Sequence, residues 1–149
     1  MLRFTLHWIV NNEQQTWAMN SINNFIAHVA ETDPDHLFIN YPYSQMDLAI
    51  GSYYMEIFND DILVGFALFY PMAAKLIYLR NFYILKTQRI KNIFNDSMGF
   101  IISQFGSRGF SKLLTFIDQE ANILIRRLIN YGFEVTANHK QFDMLELDF

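Results

Sequence analysis

No cysteine occurs in the chain. This absence removes disulfides, thiolate nucleophiles and cysteine-based metal sites together, and it fits a reducing compartment. Glycine and proline are scarce, 6 and 3 among 149 residues. No linker rich in either interrupts the chain, and there is no internal repeat or low-complexity tract, so one folding unit over residues 1–149 is expected. Positive charge is in deficit: 11 Lys and Arg face 15 Asp and Glu, a net charge of −4, which gives no global attraction for nucleic acid. Long apolar runs are missing too. The longest, Ile62 to Ala74, is too short to span a bilayer and reads as buried core. The opening Met1-Leu2-Arg3-Phe4 lacks the basic-then-apolar order of a signal peptide. A soluble, cytoplasmic protein with neither nucleic acid nor membrane as partner is expected. His7, His28, His36 and His139 are scattered without metal-ligand spacing, so no metal is expected, and neither a Gly-x-Ser-x-Gly elbow nor a Walker loop is present.

What the chain does have is apolar and aromatic bulk. It is 52% hydrophobic and holds 15 Phe and 8 Tyr, enough to exclude disorder and to make aromatic packing dominate the interior. Trp8, Trp17, Tyr41 and Tyr43 are candidates for a contact surface, in a homodimer or with another subunit.

Periodicity orders the elements. Phe4 to Val10 reads as a strand. Ala18, Ile22, Phe25, Ile26 and Val29 recur at helical spacing, about four turns at 3.6 residues each. Ser44 with Asp47 three residues on can start a short second helix. Tyr53 to Phe58, a three-residue turn at Asn59-Asp60-Asp61, and Ile62 to Tyr70 form a hairpin. Leu76 to Leu85 is apolar enough for a strand buried on both faces. A helix with Phe94, Met98, Ile101, Ile102 and Phe105 on one face is ended by Gly106-Ser107-Arg108-Gly109. The strand Lys112 to Ile117, a helix carrying Ala121, Leu124, Ile125, Leu128 and Ile129 on one stripe up to Gly132, and strands Phe133 to Thr136 and Phe142 to Phe149 complete the chain. The fold class is α/β (α+β), with one sheet carrying helices on both faces.

Lys86, Arg89 and Lys91 stand within six residues with no acid among them. A small basic cluster of this kind is either a solvated loop or an anion-binding one. Its position before a helix start supplies the chemistry for the second, because the first helical amides are unpaired and the dipole favours negative charge there.

The run Phe82-Tyr83-Ile84-Leu85-Lys86-Thr87-Gln88-Arg89-Ile90-Lys91-Asn92-Ile93-Phe94 resembles the strand, Arg/Gln-x-x-Gly-x-Gly/Ala loop and helix of the GNAT superfamily of acyl-CoA-dependent N-acyltransferases. The stretch from Asn122 to Tyr131-Gly132-Phe133 is similar to that family's Asn-containing helix and its closing Gly-Phe, and the element order matches the fold along the chain. The resemblance implies a mixed, mostly antiparallel central sheet. It also implies an acyl-CoA-binding stretch made of Ile84, Leu85, Lys86, Arg89, Ile90, Lys91, Asn92, Ile93 and Phe94, with Asn122. The loop departs from the family in having no glycine: Ile90, Asn92 and Phe94 stand where small residues are usual. Asn tolerates left-handed backbone, and the stripe Phe94 shares with Met98 directs its ring to the core.

The same resemblance implies that the thioester lies along the end of the central strand, near the Ile84 amide. The family's tyrosine is absent from its place in the last helix, where Leu128 stands, and Asn81 is found where a carboxylate is frequent. Asp118, after a strand and facing the cleft, is the first choice for a base, directly or through water; its other role is capping the last helix. Tyr83 is the candidate acid, or else core packing. Glu120 is a further remaining candidate, Glu56 reads as a solvent-facing strand residue, and Arg126-Arg127 as a solvated helix face with a potential role on an adenosine phosphate. The implied activity is acetyl transfer from acetyl-CoA to a primary amine on a small molecule or a protein. The alternative is a catalytically inactive GNAT-fold binding or regulatory module.

Overall fold

The computed structural model describes residues 1–33, 42–89 and 92–149. Pro34, Asp35, His36, Tyr41, Ile90 and Lys91 lie outside them. Among the described residues one sheet is built from seven strands: β1 (Leu2–Trp8), β2 (Tyr53–Asn59), β3 (Ile62–Ala73), β4 (Leu76–Ile84), β5 (Lys112–Asp118), β6 (Glu134–Asn138) and β7 (Phe142–Asp148). The helices are α1 (Asn12–Thr32), α2 (Ile93–Gly106) and α3 (Asn122–Tyr131), with short 3-10 turns at Gln45–Leu48 and Lys86–Gln88. The strand order is β1-β2-β3-β4-β5-β7-β6. β4 and β5 run parallel, and the other neighbours are antiparallel.

Alternation along the strands assigns the faces. On one face Phe25 of α1 meets the rings of Phe66 and Tyr83, and Trp17 meets Tyr54. On the other, Phe105 of α2 packs on Tyr53 and Phe69, and Phe94 lies between Phe82 and Tyr131 of α3. Adjacent residues such as Tyr53 and Tyr54, or Phe82 and Tyr83, therefore serve opposite layers. α1 begins where the Asn11 Oδ1 accepts from the Gln14 amide at 2.9 Å, and it buries Ala18, Ile22, Phe25, Ile26 and Val29. At 21 residues it exceeds the four turns of its apolar stripe, because a polar first turn from Asn12 precedes that stripe. α3 stops at Gly132, whose φ of 133° suits a residue without a Cβ.

Several expectations are corrected. β1 starts at Leu2 and ends at Trp8, so Ile9 and Val10 lie beyond it. Asn59 pairs with Ile62, leaving Asp60 and Asp61, with φ of 51° and 63°, as a two-residue turn; that left-handed pair matches the twist of a tight hairpin. β4 is not buried on both faces: Tyr78, Arg80, Asn81 and Phe82 are half-buried. Leu68 pairs with Asn81 and Phe69 with Leu79, so Arg80 is the extra residue of a bulge. Glu56 is buried and accepts from Thr5 Oγ1 at 3.0 Å, with His7 Nε2 at 2.8 Å. Tyr43 is buried as well, whereas Trp8 and Trp17 are exposed.

Candidate acyl-transfer site

The parallel pair β4–β5 extends from Leu76 opposite Lys112 to Leu79 opposite Thr115. Beyond that point β4 stays with β3 as far as Ile84 opposite Gly65, while β5 stays with β7 as far as Asp118 opposite Phe142. Between them the sheet splits. At the apex the Thr115 hydroxyl donates to the Leu79 carbonyl at 2.9 Å. Leu85 N–H donates to the Val64 carbonyl at 2.8 Å, and alternation in an antiparallel ladder turns the peptide groups of its neighbour Ile84 away from β3, toward the split.

A cavity of about 520 Å³ opens there. Phe82, Tyr83 and Ile84 form one wall, Ile93 and Phe94 of α2 the next, and Glu120, Asn122, Leu124 and Arg127 the third. A second cavity of about 440 Å³ adjoins it around the start of α2, sharing Arg89, Phe94 and Arg127 and adding Asn92, Asn95, Asn130 and Tyr131. The first is largely apolar in its lining side chains and the second largely polar. Together they form a long recess with a greasy end at the split and a hydrogen-bonding end at the start of α2.

The entry to α2 shows how a loop poor in glycine takes its shape. Asn92 has φ 76° and ψ −11°, the left-handed conformation, and among the described residues no side chain caps the helix after it. The first amides of α2 are thus without the side-chain acceptor that Asn11 gives to α1. Phe94 is buried between Phe82 and Tyr131 yet borders both cavities.

Arg89 turns toward β4. Its Nε donates to the Ile84 carbonyl at 2.9 Å, its guanidinium lies over the Tyr83 ring, and an Nη stands 3.7 Å from Asp33 Oδ2. Asp33, at the C-terminal cap of α1, also accepts the Tyr83 hydroxyl at 2.8 Å. Burial, and then the Asp33 carboxylate, push the Tyr83 phenol up to about 12, so it keeps its proton at neutral pH.

Of the residues singled out in the sequence, the larger cavity brings together Tyr83, Ile84, Arg89, Ile93, Phe94 and Asn122, and the smaller one adds Asn92. Leu85 and Lys86 border neither. Asp118 is not among the lining residues; its Oδ1 accepts from the Glu120 amide at 2.9 Å, and Glu120 itself reaches the wall. Asp33 was not foreseen. Its signal was an acid at the end of a helix with no basic residue in the last turn, an electrostatically poor place that calls for a distant cation. Among the described residues no three His, Asp or Glu side chains gather as a metal site would require, and no helix is long and apolar enough to cross a membrane.

No family model matches the sequence, and no curated protein does. Solved structures do match. The PaiA N-acetyltransferase of Thermoplasma acidophilum, in complex with coenzyme A, superposes with a TM-score of 0.75 at 12% identity, over 99% of each chain. A GNAT family acetyltransferase of Listeria monocytogenes gives 0.70 at 10% identity, over 98% of this chain and 95% of that one. Another from Elizabethkingia anophelis, with acetyl-CoA bound, gives 0.67 at 11% identity, over 99% and 98%. Identities this low speak for architecture, and on that architecture the chain has the GNAT fold.

Proposed function

We propose that the chain is an N-acyltransferase that moves an acetyl group from acetyl-CoA to a primary amine on a small molecule or a protein. The observation that carries this reading is the split between β4 and β5, with a recess running from Ile84 to the uncapped start of α2. A long ligand with an apolar arm, a thioester at one end and phosphates at the other suits this sequence of surfaces. The arm would lie against Phe82, Ile84 and Leu124. The pyrophosphate would take the first amides of α2, where Asn92 supplies the backbone shape usual for glycine. The thioester carbonyl would rest near the Ile84 peptide, whose fixed dipole favours the negative charge developing on oxygen.

In the transfer the amine nitrogen attacks the carbonyl carbon, the carbon–sulfur bond breaks, an amide forms, and the amine's proton and the thiolate must both be provided for. Asp118, through water, is the proposed base, and Tyr83 the proposed proton source for sulfur. Arg89 also supports a second reading, a binding or regulatory module, because its guanidinium occupies the Ile84 carbonyl at the mouth of the split.

Calorimetry with acetyl-CoA on the purified chain separates the cases. Micromolar binding, about −8 kcal/mol, supports the cofactor site. An amine screen read as release of free thiol then tests turnover, with no protein background because the chain has no cysteine. Binding without turnover for any amine class favours the module, and absence of binding removes the acyltransferase reading. Asp118→Asn and Tyr83→Phe are expected to lower kcat while leaving acetyl-CoA affinity unchanged.

A further inference from the structure

The gap between β4 and β5 has two faces, and both cavities lie on the one covered by α2 and α3. Alternation divides β5 between these faces. Leu113 is buried on the α3 side, with its β7 partner Leu147 beside Gly132 at the end of that helix. Phe116 and Asp118 therefore point the other way. Their partners on β7, Met144 and Phe142, share that face, as does Tyr78 of β4 opposite Leu114. Asp118 thus stands across the sheet from the cavities, which is why it lines neither. Phe116 and Phe142 are 37% and 44% exposed there. The Phe116 ring meets Tyr78 and His139, with centroids 5.7 and 6.3 Å away. The second entrance to the gap is in this way an open apolar surface, rich in rings, around one carboxylate.

Charge at this entrance is sparse. One Asp118 oxygen accepts the Glu120 amide, and the other has no partner among the described residues. Farther from the gap, Lys112 holds Glu146 and Asp148, Glu134 stands on the edge strand, and Asp47 is taken by Arg80. A polyamine or a basic protein tail brings several cations and would find a single anion. One ammonium on an aromatic body finds a carboxylate for its head and ring faces for the rest, and those faces attract the cation as well. We propose that the acceptor is an arylalkylamine, a primary amine on a short chain from an aromatic ring, lying on Phe116 and Phe142 with its nitrogen at Asp118; this deepens the acyltransferase reading above and rests on it. The ammonium loses one proton through Asp118 to water, and the nitrogen attacks the thioester carbonyl carbon through the gap. A second proton leaves the nitrogen as the carbon–sulfur bond breaks and sulfur is protonated from Tyr83, whose proton it restores.

The test is the rate of thiol release at saturating acetyl-CoA with phenethylamine, butylamine, spermidine and a lysine-containing peptide. The kcat/KM for phenethylamine is expected to exceed each of the others by roughly tenfold or more, the scale on which apolar contacts separate substrates. Phe116→Ser and Phe142→Ser should raise KM for phenethylamine and bring its kcat/KM toward that of butylamine. Their acetyl-CoA affinity by calorimetry should stay unchanged, which also reports that they fold. A preference for spermidine or the peptide would overturn the proposal. So would an equal loss for every amine in the two variants, or no loss with phenethylamine. A native dimer that either variant splits in sedimentation would give this face to a second copy of the chain instead. If acetyl-CoA binds and no amine reacts, this inference fails while the cofactor site stands. If acetyl-CoA does not bind, the acyltransferase reading itself falls and takes the inference with it.

Discussion

Gly65 lies so close to β4 that a Cβ built on it would stand 2.5 Å from the Tyr83 carbonyl oxygen and 3.3 Å from the Ile84 Cα. Both are backbone atoms, so no rotamer change relieves the clash; the end of β4 has to move. Gly65→Ala is expected to destabilise the fold by roughly 1–3 kcal/mol, the range for overpacking, measured as a lowered urea midpoint. Because Tyr83 and Ile84 form a wall of the larger cavity, acetyl-CoA affinity should fall in the same variant. An unchanged midpoint would mean that β4 yields there freely. Nothing in the sequence marks this glycine, which sits inside the apolar run from Ile62: the close approach is a relation between two strands. Asn92 was more legible, since asparagine at a position usual for glycine is one of the few residues that accept its left-handed backbone. Glu56 was misjudged for the opposite reason. Alternation places it on a definite face of β2, but that α1, with Trp17 against His7, covers the face is a tertiary fact.

Elements are held to one another by a few polar contacts as well as by rings. The 3-10 turn Gln45–Leu48 is fastened to the bulge of β4 by Asp47 and Arg80, 2.7 Å apart and mostly buried. The Ser44 amide donates to Asp47 Oδ2 at 2.8 Å, and Arg80 also reaches the Tyr70 hydroxyl. Burial alone would raise the Asp47 pKa, but the Ser44 amide and then Arg80 outweigh it and hold the carboxyl below its ordinary value. A carboxyl whose folded pKa is depressed contributes stability above its unfolded pKa, and that contribution disappears as pH falls through the folded value. Asp47→Asn is therefore expected to destabilise at pH 7 by roughly 2–4 kcal/mol, since it leaves Arg80 half-buried without its anion. The gap between the melting temperatures of native and variant should narrow below the unfolded value of 3.8. A gap that stays constant down to pH 2 would assign the loss to packing. The sequence showed Ser44 and Asp47 as a local helix start, which they are; the arginine 33 positions on from Asp47 in the sequence carries no local signal. The helical stripes were readable because each is a periodicity within one segment. The parallel pairing of β4 with β5, which creates the split, leaves no mark on either strand alone, and the sequence reached it only through the resemblance and the order of elements.

At the scale of the whole molecule the sheet has two parts. β1 to β4 form a continuous antiparallel ladder, β5, β7 and β6 form another, and four residue pairs between β4 and β5 join them. The candidate site lies in the gap where this seam opens, with walls from β4 and α2 on one side and α3 on the other. Element order made this architecture legible from sequence, as did the similarity of the Arg89 loop. The acceptor was not legible, since the amine side depends on side chains that the shared architecture leaves free to vary. A ligand filling the gap touches both parts at once, so its binding energy acts against the opening of the seam. At a concentration near 100 times its Kd, acetyl-CoA should add about 2.7 kcal/mol to stability by mass action. In a domain of this size that corresponds to a rise in Tm of roughly 5–10 °C. Hydrogen exchange should slow together at the end of β4 and in the first turn of α3, elements that contribute opposite walls and do not pair with each other. Protection confined to the start of α2 would indicate phosphate binding without occupation of the split, and would separate a protein that holds coenzyme A at its surface from one that presents a thioester to an amine.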